Sequence, residues 1–293
     1  MRRLQAEPAY PVGVELGEGP VWDAARGELL FVDIMAGRLY RTAADQTVEL
    51  AAEIDRALGA ALPGPDETVL LVTRSGFSVL DGAGRIAPVL DVLADRPDLR
   101  FNDAKCDPAG RCFAGTLSLI DAPGDAELMR LDQGPRVEVV VPGVGLSNGL
   151  GWSPDGATMY FADTTSGRVD RFDFDLESGN LGARAPFIAE MPGTPDGLCV
   201  DGSGAVWVAL WDGSEIHRYT PDGRSDTVVE LPVPHVTSCA FGGPDGDILF
   251  ITTARSGLSA AQIGRFPRAG DVFALRPGAS APPATRWQPV GPT

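Results

Sequence analysis

Four polar residues, Glu18, Asn102, Asn148 and Asp196, recur at matching places along a chain of 293 residues. They stand in the phrases GEGPVWD, RFNDAKCDPAGR, SNGLGWSPDG and TPDGLCVDGSG. In each phrase the polar head falls where the backbone turns into a short apolar run. An Asx residue before Gly reads, on its own, as a turn former or cap. Glu18 before Gly-Pro does not, because Glu is not a turn residue. Four oxygen donors converging on one axis suit a hard divalent cation, which takes carboxylate, amide carbonyl and water oxygens. The two carboxylates match the charge of a 2+ ion. Arg100, two residues before Asn102, is either a multiple hydrogen-bond donor to an oxygen-rich ligand or a surface cation. Asp155, Asp201, Asp222 and Asp245 resemble the four but sit in DG turns between strands, and read as structural.

Other chemistries are thin. The chain has two histidines, His217 and His235, so a three-histidine metal site is excluded and a His-centred triad is disfavoured. His217 reads as packed or solvent-facing in a strand, and His235 as incidental at a rim. Cys106, Cys112, Cys199 and Cys239 form no CxxC pair and read as small buried thiols in a reduced, cytoplasmic protein. A net charge of -16 argues against nucleic acid, whose binding depends on neutralising phosphates with Lys and Arg. It also argues against anionic membrane surfaces. No apolar run approaches the length of a membrane helix, and no apolar stretch follows Arg2 and Arg3 as an export signal would require.

The elements that must position the four residues are short strands. Helical periodicity is scarce, and runs rich in Val, Leu, Phe, Tyr and Trp end at Gly, Pro, Asp or Asn. Gly 36 and Pro 25 supply many turns, while 44% hydrophobic against 22% charged residues excludes a disordered chain. One plan, an opening strand, a turn and two further strands, returns along the chain. Its starting points are Glu18, about Ala60, Asn102, Asn148, Asp196 and Ser238, 42 to 48 residues apart. Six such units predict an all-β, six-bladed β-propeller of four-stranded antiparallel sheets around a central tunnel, with residues 1–293 as one domain. The last unit lacks an outer strand after 271–276, and Gly13 to Leu16 is expected to supply it. The opening residues of the inner strands then crowd around one end of the tunnel. The segments 34–37, 117–127, 164–167, 211–214 and 253–263 surround that mouth.

GEGPVWD (17–23), RFNDAKCDPAGRCFAGT (100–116), SNGLGWSPDGATMYFADT (147–164), PDGLCVDGSGAVWVALW (195–211) and VTSCAFGG (236–243) carry a resemblance over nearly the whole chain. The sequence resembles the family of senescence marker protein (regucalcin) and the bacterial gluconolactonases. The resemblance implies a six-bladed propeller holding one divalent metal in its tunnel. The implied ligands are Glu18, Asn148 and Asp196, completed by waters. It implies that Arg100 and Asn102 contact a sugar lactone, and that the reaction is hydrolysis of an aldonolactone to the open aldonic acid. Where the regucalcin branch carries a substrate-contacting acid, this chain has Ile120, so that contact is not carried over.

Lactone hydrolysis needs a polarised carbonyl, a nucleophilic water and a proton route. Asp196 is the candidate general base. With no Ser or Cys partnered by His in the sequence, a covalent acyl-enzyme is disfavoured. The metal is one of Ca, Zn, Mn, Mg or Fe(II), and the chain is expected to be a monomer or small homo-oligomer. Two rival readings are an organophosphate or aryl ester hydrolase on the same frame and a non-catalytic calcium-binding propeller.

Overall fold

The computed structural model describes residues 1–42, 47–120, 122, 124–132 and 135–289. Residues 121 and 123 of the 117–127 segment lie outside them. Six antiparallel sheets follow one another along the chain. Their inner strands are Gly17–Asp23, Leu58–Pro63, Leu99–Cys106, Ser147–Trp152, Thr194–Val200 and Val236–Gly242. These stand side by side in chain order, and the sixth returns against the first, so the sheets form the blades of a six-bladed propeller.

Burial follows from that arrangement. A strand sandwiched between neighbouring sheets is covered on both faces, so it reads as a continuous apolar run. Val69–Thr73 (VLLVT) is buried at every position. The outer strand Arg136–Val144 (RVEVVVPGV) is mostly exposed or half-buried. The core is accordingly six inter-blade layers. Leu30, Val32, Leu58 and Leu71 join blades one and two. Trp207, Phe241 and Ile251 join blades five and six, and Phe250, Val272, Leu29 and Phe31 join six to one.

The DG turns behave as structural elements. Asp155 accepts hydrogen bonds from Ser153 and the Ala157 amide. Asp201 accepts from the Ser203 and Ala205 amides, and Asp222 from the Thr220 hydroxyl.

Ring closure differs from the sequence expectation. The outer strand of blade six is Glu7–Tyr10, paired antiparallel with Val272–Leu275, and not Gly13 to Leu16. Pro11 has no amide hydrogen to continue the ladder, and Gly13 takes φ 59°. The Gly13 amide donates to Asp271 Oδ1 and the Val14 amide to the Gly270 carbonyl, both at 3.0 Å. The segment thus crosses from the outer strand to the inner strand of blade one. Upstream, Arg2–Gln5 adds a fifth, parallel strand to blade five, against Ser225–Glu230.

The C-terminal segment straps the far end of the tunnel. The Gly202 amide donates to the Ser280 carbonyl at 2.7 Å, and the Ala281 amide to the Gly246 carbonyl at 3.0 Å. The Trp287 amide donates to the Pro63 carbonyl at 2.7 Å, and its ring is buried between blades two and three. Between strap residues 281–285 and the inner strands lies a cavity of about 230 Å³, lined by Asp103, Lys105, Cys199 and Ser238 among others. Among the described residues no helix is long and apolar enough to cross a membrane.

Candidate active site

All six inner strands slip register by one residue near their starts. The shifts fall between Glu18 and Val21, Leu58 and Ala60, Phe101 and Ala104, Ser147 and Leu150, Pro195 and Leu198, and Val236 and Ser238. A bulge inserts one extra residue and re-aims the side chains around it. Asn102, Asn148 and Asp196 lie inside these bulges, and Glu18 borders its own. The Gly following Glu18, Asn148 and Asp196 is the sequence signal for them.

Close approach between blades also depends on glycine. A Cβ on Gly149 would lie 2.5 Å from the Leu198 nitrogen and 2.7 Å from the Asp196 carbonyl oxygen. Gly149→Ala must therefore push the strand carrying Asp196 outward. We expect a stability loss of about 2 kcal/mol, the usual scale of overpacking, read as a lower midpoint in urea; an unchanged midpoint contradicts this account of the blade contact.

The structure brings the sequence-predicted residues together. Glu18 is buried, and its Oε2 accepts from the Gly19 amide at 2.8 Å. Arg100 donates to Asn102 Oδ1 at 2.9 Å and to the Phe101 carbonyl at 2.9 Å. Asn102 Nδ2 donates to the Ser147 carbonyl at 2.9 Å and lies 3.5 Å from Asn148 Oδ1. Asn148 Nδ2 donates to Thr164 Oγ1 at 3.0 Å, and Thr164 donates in turn to the Pro195 carbonyl at 2.8 Å. Asn148 also hydrogen-bonds Asp196. A polar chain Arg100–Asn102–Asn148–Asp196 thus runs across blades three, four and five, and Glu18 joins it through the electrostatic field.

Three residues escaped the sequence reading. Asp103 is a third buried carboxylate. Regular alternation would turn it away from its neighbour Asn102, but the bulge breaks that alternation. Lys105, the only lysine of the chain, spans the tunnel and donates from Nζ to the Leu198 carbonyl at 2.7 Å. Thr164 orients Asn148 from the mouth segment 164–167. No motif marks Thr164, whereas a lone lysine is visible by counting.

The electrostatics are those of crowded anions. Burial, then repulsion from Asp103, pushes Glu18 up to about 8; Lys105 and Arg100 pull it the other way and are outweighed. Burial raises Asp103. Burial, then Glu18 and Asp103, holds Asp196 well above the usual carboxylate range. Burial lowers Arg100 to about 10, against the pull of Glu18. Among the described residues none of the three carboxylates takes part in an ion pair. No three His, Cys, Asp or Glu side chains among them gather as a metal cluster either. The expected ligand set, two carboxylates without an ion-pair partner and an amide, has the oxygen-donor chemistry a hard dication takes, and such an ion would favour the ionised carboxylates.

The remaining candidates lie elsewhere. His217 pairs with Glu215, and His235 stacks on Trp211 at 4.2 Å and meets Asp212 at 2.7 Å. All four cysteines are buried and free. Ile120 is 67% exposed in the mouth segment.

Fold and site together define a six-bladed β-propeller with a carboxylate-lined tunnel. Residues 16–255 match the SMP-30/gluconolactonase/LRE-like region, and the chain belongs to that family. A regucalcin of Danio rerio is 34% identical over 278 residues, covering 93% of this chain and 94% of that protein. The structure of a calcium-binding protein, regucalcin, from Agrobacterium tumefaciens superposes with TM-score 0.92 at 26% identity, covering 98% of both chains. A luciferin-regenerating enzyme superposes with TM-score 0.89 at 26% identity, covering 97% of this chain and 99% of that one.

Proposed function

We propose that this chain hydrolyses a sugar lactone, an aldonolactone, to its open acid, with a divalent cation held by Glu18, Asn148 and Asp196. The observation that carries the reading is a set of buried carboxylates without ion pairs, set beside the hydrogen-bonded Arg100–Asn102 pair. When bound, the cation supplies Lewis-acid polarisation of the ester carbonyl and offsets the carboxylate charge. Asp196 accepts the proton of the attacking water; a general base within hydrogen-bond reach contributes about 10²–10⁴-fold. Asn148 fixes the Asp196 carboxyl, and Thr164 fixes Asn148. Arg100 and Asn102 donate to the lactone hydroxyls, and because each holds the other their geometry is set before substrate arrives. No covalent step is invoked, since both histidines are engaged elsewhere and the thiols are buried. The family name supports a lactonase, and the Agrobacterium relative, called calcium-binding, supports a cation in the tunnel.

The test is a pH-stat assay of xylono-, arabinono-, galactono- and gluconolactone with Ca, Zn, Mn, Mg or Fe(II) added. Turnover of at least one lactone, abolished by chelator, is expected. Turnover of aryl esters or organophosphates alone would replace the lactonase reading. Cation binding without any turnover would leave a calcium-binding propeller.

A further inference from the structure

The inner strands of blades five and six bring Cys199 and Cys239 to a sulfur–sulfur separation of 3.5 Å, across 40 positions of chain. Cys199 lines the strapped cavity together with Lys105 and Ser238, so a small solute in that cavity lies beside this residue. Lys105 anchors its ammonium on the Leu198 carbonyl, next to Cys199. Burial, then the neighbouring Cys199, holds the Cys239 thiol well above its ordinary range, and the Lys105 charge offsets only part of that. Access from a cavity and a nearby cation are two features of cysteines that oxidise selectively, and the short sulfur–sulfur distance supplies the partner. The other two thiols, Cys106 and Cys112, face each other across a single hairpin of blade three.

We propose that Cys199 and Cys239 are a peroxide-sensitive pair that closes into a disulfide joining blades five and six. The Cys199 sulfur attacks one peroxide oxygen, the O–O bond breaks, and a sulfenic acid and one water result. The Cys239 sulfur then attacks the sulfenic sulfur, an S–S bond forms, the S–O bond breaks and a second water leaves. Two thiols and one hydrogen peroxide thus give one disulfide and two waters. The sulfurs lose two electrons in all, and the peroxide oxygens gain them. Cys199 reacts first because it borders the cavity, while Cys239 lies deeper and resolves the intermediate. The bond would pin the strand carrying Asp196 three residues beyond that carboxylate, and would restrict the unfolded chain by closing a long loop.

The experiment treats the folded full chain with a small excess of hydrogen peroxide, alkylates the remaining thiols, and reads the intact mass and the tryptic peptides. The expected result is a loss of two hydrogens and a crosslink between the peptide holding Cys199 and the peptide holding Cys239, reversed by dithiothreitol. The melting temperature should rise by about 5 °C. Cys239→Ser should leave no crosslink and an over-oxidised Cys199. Should that variant fail to fold, the mapping on the unaltered protein decides alone. Two thiols that stay alkylatable after peroxide, or a crosslink that maps to Cys106 and Cys112, overturns the proposal.

Discussion

Asp196→Asn is expected to lower lactone turnover by about 10³-fold while the protein melts no lower than the unaltered chain. The two halves of that result have separate causes. An amide cannot accept the proton of the attacking water, so the base is lost. It has the same shape as the carboxyl, can still bond Asn148, and removes one of three mutually repelling groups. Burying an amide costs less than burying an unpaired carboxylate. The measurement is kcat by pH-stat at saturating cation, paired with a thermal melt. If more than about a tenth of the turnover remains, a smaller loss than a general base provides, Asp196 is not the base. If turnover and fold are lost together, the variant has not tested the chemistry, and Asp196→Glu with its KM and kcat resolved separately then decides.

Removing divalent cations is expected to make stability fall with rising pH, and restoring a cation to abolish that fall. In the folded chain Glu18 titrates at about 8 against an ordinary 4.5. Between those values the native state holds a proton that the unfolded chain has released. The contribution of Glu18 to stability is therefore complete below pH 4.5 and is lost as pH rises through 8. Each pH unit inside that window costs about 1.4 kcal/mol for one fully shifted group. Asp103 and Asp196 are raised in the same direction and add to the slope. A dication among these carboxylates favours their ionised forms, so binding releases protons and the slope flattens. Melts in chelator should drop steadily from pH 5 to pH 8, and melts with millimolar cation should not, so the gap widens with pH. Glu18→Gln should flatten the chelator series and weaken cation affinity by calorimetry. Equal slopes with and without every cation tried would remove the tunnel as a cation site.

Much of the architecture was readable because its determinants are local. Each blade carries its own turn after the inner strand and its own largely buried second strand, such as Val69–Thr73, so six similar phrases announce six similar sheets. The convergence of Glu18, Asn102, Asn148 and Asp196 was readable for the same reason, since equivalent positions in a ring of repeats must share one end of the axis. The closing strand was not. Both 7–10 and 13–16 are short enough to serve, and the choice turned on Pro11, Gly13 and an amide bond to Asp271, more than 250 residues away in the chain.

The amino-acid sequence alone determined the repeat, the number of blades and which polar heads stand at the strand starts, because turn chemistry and strand patterning act within a few residues. Only the tertiary structure decided that Asp103 joins the tunnel, that Lys105 reaches across to Leu198, that Thr164 steers Asn148, and that Cys199 meets Cys239. Those outcomes depend on one-residue register slips and on how closely neighbouring sheets approach. The raised carboxylates have the same origin, since burial and mutual repulsion exist only once distant strands have been brought around one axis.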